Sequence, residues 1–151
     1  MTEEAKIHAR TLEWVGSWAT SPEQPFDLDR VKHIYAQDET FSSFDFGRPH
    51  AGFQSWAPAE AYYRKFMTVP KVWQLTSNDD LRVSIRGDVA WSTLSLKGSG
   101  EMQDGTPIAM PEARVTLILE KRGAEWLIVH EHGSSALPIP DEATTRRFLA
   151  S

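Results

Sequence analysis

Apolar residues in the first third of the chain recur at helical spacing, whereas from about residue 80 onward they alternate. Ile7, Trp14, Val15 and Trp18 fall on one stripe of a helix over residues 3 to about 19, which "SPEQP" brings to an end through Pro22 and Pro25. Asp27 is suited to cap a second, short helix, "LDRVKHIY", with Leu28, Val31, Ile34 and Tyr35 on one face. "ETFSSFDF" reads as extended, sending Phe41, Ser43 and Asp45 to one side and Ser42, Phe44 and Phe46 to the other. Beyond the loop "GRPHAGFQS", a third helix is expected from Ser55 or Trp56. Pro58 sits in its first turn, and Tyr62, Tyr63, Phe66 and Met67 follow.

The period then changes to two. "LRVSI" buries Leu81, Val83 and Ile85, Gly87-Asp88 turns the chain, and "VAWSTLSLKG" runs back. Asp104-Gly105 marks a further turn, and "ARVTLILEK" and "WLIVHEHGS" are two more strands joined around Arg122-Gly123-Ala124. Residues 139–151 read as a short terminal helix or a flexible tail. Helices first and a meander of antiparallel strands afterwards predict an α+β domain, its helices packed on one face of a curved sheet. A chain of 151 residues is the size of one domain, so a single domain over 1–151 is expected.

Composition narrows the function classes. Six tryptophans among 11% aromatic residues supply rings both for a core and for the walls of a cavity. A net charge of −5, with no basic run longer than Lys121–Arg122 or Arg146–Arg147, argues against nucleic acid as a partner. The absence of cysteine removes disulfides, thiolate metal sites and cysteine nucleophiles, and it fits a cytoplasmic location. "MTEEAKIHARTLEWV" has no apolar signal-peptide core, and no apolar run approaches the roughly 20 residues of a membrane helix, so no membrane partner is expected. There is no Gly-x-Ser-x-Gly elbow, phosphate loop or dinucleotide fingerprint, and no organic cofactor is required.

"ARVTLILEKRGAEWLIVHEHGSSALP" resembles the closing hairpin of the SnoaL-like branch of the NTF2-like superfamily. The positions that carry the likeness are Arg114, Trp126, Ile128, Val129, His130, His132, Ser134 and Pro138. Upstream, "IYAQDETFSSFDFG" and "GFQSWAPAEAYYRKFM" look like the strand after the second helix and the helix over the cavity mouth in the same superfamily. The resemblance implies a cone-shaped α+β barrel in which three N-terminal helices pack on a strongly curved, mostly antiparallel sheet around a pocket. It also implies a homodimer, because members often pair through the open sheet face. The superfamily holds isomerases, cyclases and dehydratases related to ketosteroid isomerase, together with non-catalytic transport and association domains, and fold alone does not choose among them.

Asp45, between Phe44 and Phe46, would gain basicity from burial, and by position it resembles the proton-shuttling aspartate of the ketosteroid isomerases. An aspartate closing a strand before Gly47 is the structural alternative. Arg114 opens a strand on the face opposite Val115, Leu117 and Leu119; were that face internal, the guanidinium would orient Asp45 or an anionic ligand. His130 and His132 lie two apart on one strand, about 6–7 Å between Cα atoms, and with unbroken alternation share a face with Trp126, Ile128 and Ser134. A catalytic metal site ordinarily needs a third protein ligand; Glu101 or Asp45 could provide one, but nothing in the spacing demands it, and no metal is expected. His132 is the preferred pocket donor and His130 its neighbour. Trp56 and Tyr62 flank the loop before the third helix and are placed at the cavity with Trp91 and Glu101 as substrate-binding residues. His50, in that loop, is a weaker candidate.

Two functions follow. In one, Asp45 abstracts a proton next to a carbonyl of a small apolar or aromatic molecule, bearing a carbonyl or carboxylate, while Arg114, His132 and Tyr62 stabilise the enolate. In the other, the chain is a non-catalytic ligand-binding or dimeric assembly module. The place of Asp45 relative to a cavity separates the two.

Overall fold

The computed structural model describes residues 1–46 and 49–135. Helix α1 (Glu3–Ser17) begins where the Thr2 hydroxyl accepts the Ala5 N–H at 3.2 Å, with Glu3 and Glu4 favourably placed against the helix dipole. It buries Ile7, Thr11, Trp14 and Val15 on one stripe. Thr11, polar and fully buried, is satisfied by the Ile7 carbonyl and by Ser92 across the core at 2.8 Å. Asp27 caps α2 (Leu28–Val31) through the Asp29 N–H, and one 3-10 turn (Lys32–Ile34) continues it. The chain then reaches β1 (Ser42–Phe44) and α3 (Trp56–Phe66), with Pro58 in the first turn of α3 as expected.

Five strands follow: β2 (Pro70–Ser77), β3 (Arg82–Arg86), β4 (Val89–Met102), β5 (Pro107–Arg122) and β6 (Glu125–Ser134). The meander read from the sequence lacked β2. Pro70 opens that strand, a register shift falls between Pro70 and Val72, and Val72 and Trp73 are both half-buried, so the alternation that betrays a strand is spoiled there. The sheet runs β1-β6-β5-β4-β2, with β3 on the other half of the β4 edge. Among the described strands, only the β1–β6 pair is parallel. The sheet is strongly bent and unclosed, the helices fill its concave side, and the whole is the cone-shaped α+β fold.

The core is the concave face. Leu96, Leu117, Leu119 and Ile128 are fully buried from the sheet, and Ile7, Leu28, Ile34, Tyr35 and Phe41 meet them from the helical side. Each such side chain contributes about 1.5–3 kcal/mol through the apolar surface it removes from water.

One irregularity decides the chemistry of the last strand. Ile118 pairs with His130 but Leu119 with Ile128, so Val129 is an extra residue on β6, a β-bulge. Before it, Trp126 and Ile128 point into the core; after it, Glu131 is the buried residue. The unbroken alternation expected from the sequence is therefore corrected. His130 and His132 do not share the face of Trp126 and Ile128, because the bulge returns that face to Glu131 and Gly133. Ala36 holds the strand at this place, donating its N–H to the Ile128 carbonyl at 2.9 Å.

Candidate active site

The open end of the cone holds a cavity of about 330 Å³. Its walls are mostly apolar: Trp14 and Trp18 from α1 and its end, Trp73 and Leu75 from β2, and Met102, Ile108 and Met110 from β4 and β5. The polar side chains that reach it are Asp45, Glu131 and His132. Phe44, Phe46, Phe66 and Val69 form a rim that stays partly open to solvent.

Glu131 is the most constrained group. Its carboxylate accepts the Trp14 indole N–H at 2.8 Å and the Tyr35 hydroxyl at 3.1 Å on Oε2, and the Tyr63 hydroxyl on Oε1. Ser43 Oγ lies 3.2 Å from the Tyr63 oxygen and extends the network. All these donors are themselves buried, so the network is rigid and costly to disturb. Burial, and secondly the charge of Asp45, push the Glu131 carboxyl up from 4.5 to about 7, against the opposing pull of the three donors. Burial and the neighbouring carboxylate likewise push the Tyr35 and Tyr63 hydroxyls well above their ordinary range, so both remain donors.

Asp45 follows β1, whose parallel pairing places Phe44 beside His132. Burial raises its pKa, offset in part by the Phe46 N–H, which donates to Oδ1 at 2.6 Å. Asp45 and Glu131 thus line one cavity, both shifted upward.

The other predicted positions divide. His132 lines the cavity at its mouth, edge-on to Phe44. His130 lies beside it on the outer side, its Nδ1 2.7 Å from the Ser42 hydroxyl; burial, then its histidine neighbour, lower its pKa. The two ring centroids are 6.5 Å apart, and among the described residues no three His, Asp or Glu side chains gather as a metal site. Arg114 is exposed on the outer face, opposite Ser95 and Ser134, and does not line the cavity, since Ala113 and Val115 take the buried positions of that strand. Trp56 is core, its indole N–H held by Glu60 at 3.0 Å. Tyr62 stacks on Phe66 behind the rim, Trp91 lies outside under Arg86, and Glu101 pairs with Lys71 at 2.9 Å; none of the three borders the cavity. His50 is exposed and does not border it either. Pro138 and the tail 139–151 lie outside the described residues.

Glu131 was missed by sequence reasoning. The one signal available was the run Trp126-Leu127-Ile128-Val129, four consecutive apolar residues where strict alternation allows none, so that the strand's two faces could not be told apart there.

The fold is that of the NTF2-like proteins. A candidate dehydratase of the NTF2-like family from Streptomyces avermitilis superposes with a TM-score of 0.74 at 15% identity, covering 90% of this chain and 97% of that one. A candidate calcium/calmodulin-dependent protein kinase II association domain from Xanthomonas campestris gives 0.67 at 24% identity, with 91% of each chain covered. A candidate ketosteroid isomerase from Shewanella frigidimarina gives 0.56 at 20% identity, covering 86% of this chain and 90% of that one. No curated protein sequence matches the chain. The profile of the SnoaL-like domain matches residues 15–140, and the chain belongs to that family. Among the described residues, no helix is long and apolar enough to cross a membrane.

Proposed function

We propose that the protein is a cofactor-independent proton-transfer enzyme of the isomerase, cyclase or dehydratase kind, acting on a small apolar carbonyl compound. The observation that carries this reading is the convergence of Asp45 and Glu131, both with raised pKa values, on one apolar cavity. Asp45, ionised, takes the proton from the carbon next to the carbonyl, and the electron pair of that C–H bond moves onto the carbonyl oxygen as an enolate. Glu131, protonated in part near neutrality, donates a hydrogen bond or its proton to that oxygen, while the Tyr63 hydroxyl turns to Ser43. Collapse of the enolate with the proton returned elsewhere gives isomerisation; with a β-hydroxyl expelled it gives dehydration. His132, at the mouth, assists at the leaving or entering group.

The test is deuterium exchange from heavy water into a panel of small apolar ketones, followed by proton NMR. Exchange catalysed by the protein and lowered about 10²–10⁴-fold in Asp45→Asn is expected, that being the usual contribution of a positioned base. Full exchange in Asp45→Asn overturns the mechanism.

The second reading, a non-catalytic ligand-binding or assembly module, draws support from the likeness to a candidate association domain. It predicts binding without exchange across the whole panel. A single domain, a homodimer and a cytoplasmic location are carried as parts of the same proposal. Exposed Val89 and Trp91 on the outer sheet face support the dimer, and light scattering of the purified chain measures it.

A further inference from the structure

Two glycines on the concave face lie directly beneath aromatic rings that wall the cavity. Gly98 follows Leu94 and Leu96 on the buried side of β4, and Gly133 follows Glu131 on the buried side of β6. Each is covered by the ring of a cavity-wall residue. A Cβ at position 98 would stand 2.5 Å from Cη2 of Trp73 and 3.1 Å from Cε of Met110. One at position 133 would overlap the ring of Phe46. Neither glycine has the positive φ that would explain it by backbone conformation, as Gly87, Gly105 and Gly123 do.

We propose that Gly98 and Gly133 are specificity-determining residues: they are ring seats that let Trp73 and Phe46 lie back against the sheet and so set the width of the cavity. The inference rests on the reading that this cavity takes a ligand. The backbone of Trp73 cannot retreat. Its N–H and C=O are both bonded to Thr20, at 3.0 and 2.9 Å, and it pairs with Gly100 of β4. A methyl group at position 98 rises from the concave face, so it lifts the indole off the sheet, toward the hollow side. Position 133 itself borders the cavity, so a methyl there takes space directly and displaces the Phe46 ring at the rim. The ligand class is one that an apolar cavity of about 330 Å³ admits at the width the two seats set: flat, apolar molecules larger than a single ring.

Crystal structures of Gly98→Ala and Gly133→Ala measure the seats directly. Displacement of Trp73 or Phe46 into a smaller cavity is expected, and an unmoved ring with an unchanged cavity overturns the proposal. Calorimetry with phenol, 2-naphthol and 1-hydroxypyrene then reads the consequence. Each glycine variant is expected to weaken 1-hydroxypyrene at least tenfold and phenol less than twofold, and Trp73→Phe added to Gly98→Ala is expected to restore the large probe. Equal weakening of all three probes, or no rescue, overturns it. Should an alanine variant fail to fold, Trp73→Phe and Phe46→Leu in the native background decide: a wider cavity and tighter 1-hydroxypyrene are expected, and no change in either overturns the seats. If the wild-type protein binds none of the probes, the ligand reading fails, while the ring positions in the crystals still judge the seats.

Discussion

The concave face of the sheet has two ends that come to opposite results. At the closed end, Leu117, Leu119, Trp126 and Ile128 lie under α1 and the segment after α2, buried to within a few percent. At the open end, Leu75, Met102, Ile108 and Met110 continue the same faces of β2, β4 and β5 yet are only half-buried and border empty space. The periodicity of a strand says which side a residue faces, not whether anything fills the space above it. Filling depends on helices arriving from elsewhere. α1 packs on β2, β3, β4 and β6, while α3 ends at Phe66 on the rim. Side chains at the hollow end are correspondingly softer, with Met67, Met102 and Met110 among the walls, as suits a surface that must accommodate a ligand.

Substitutions can break this contrast, beginning with the largest effect. Leu117→Ala at the closed end should cost about 2–5 kcal/mol in urea unfolding, because a fully buried leucine leaves a cavity that the surroundings close only in part. Next is the pH dependence of stability. The Glu131 carboxyl holds its proton in the folded state up to about 7 but releases it near 4.5 when unfolded. The folded state thus binds more protons between those values, and stability falls as pH rises through that window, by roughly 3 kcal/mol in all, with Asp45 acting in the same sense. In Glu131→Gln this slope should flatten between pH 4.5 and 7, even though the amide meets the donors of Trp14, Tyr35 and Tyr63 poorly and lowers stability as a whole. A slope unchanged in Glu131→Gln refutes the assignment of that shift to Glu131. Met110→Ala at the hollow end should cost about 1 kcal/mol or less, since the side chain already borders a void. Arg114→Ala, on the outer face, should stay within about 0.5 kcal/mol and leave probe binding unchanged; a loss of binding would return Arg114 to the site.

The legible parts of the molecule are those governed by local chemistry. The stripe of α1, the Asp27 cap, Pro58 in the first turn of α3 and the turns at Gly87 and Gly105 follow from side-chain spacing and from backbone freedom at φ of 62° and 87°. Asp45 at the cavity was also legible, because β1 runs without a register shift from Ser42 to Phe44 and Asp45 follows it directly, although Phe44 and Phe46, expected on the opposite side, line the cavity as well. β2 and Glu131 were not, and for one reason: in each, a register shift adds a residue that the pattern alone cannot locate. The error at Val129 carried His130 to the wrong side and hid the buried carboxylate between the two imidazoles. Arg114 was misplaced by another route, since the strand pattern left open which face was internal.

The bulge at Val129 works as a frame marker for the last strand. The same ten letters, threaded without it, would line the cavity with two imidazoles and turn the carboxylate outward. Deleting Val129 instead would straighten the strand while keeping Glu131 inward. Two relatives could therefore share every side chain of this segment and still present opposite chemistry to a ligand. Aligning them by identity alone would equate a carboxylate buried in the cavity with the same carboxylate on the outer surface. What descends in such a strand is the frame as much as the letters.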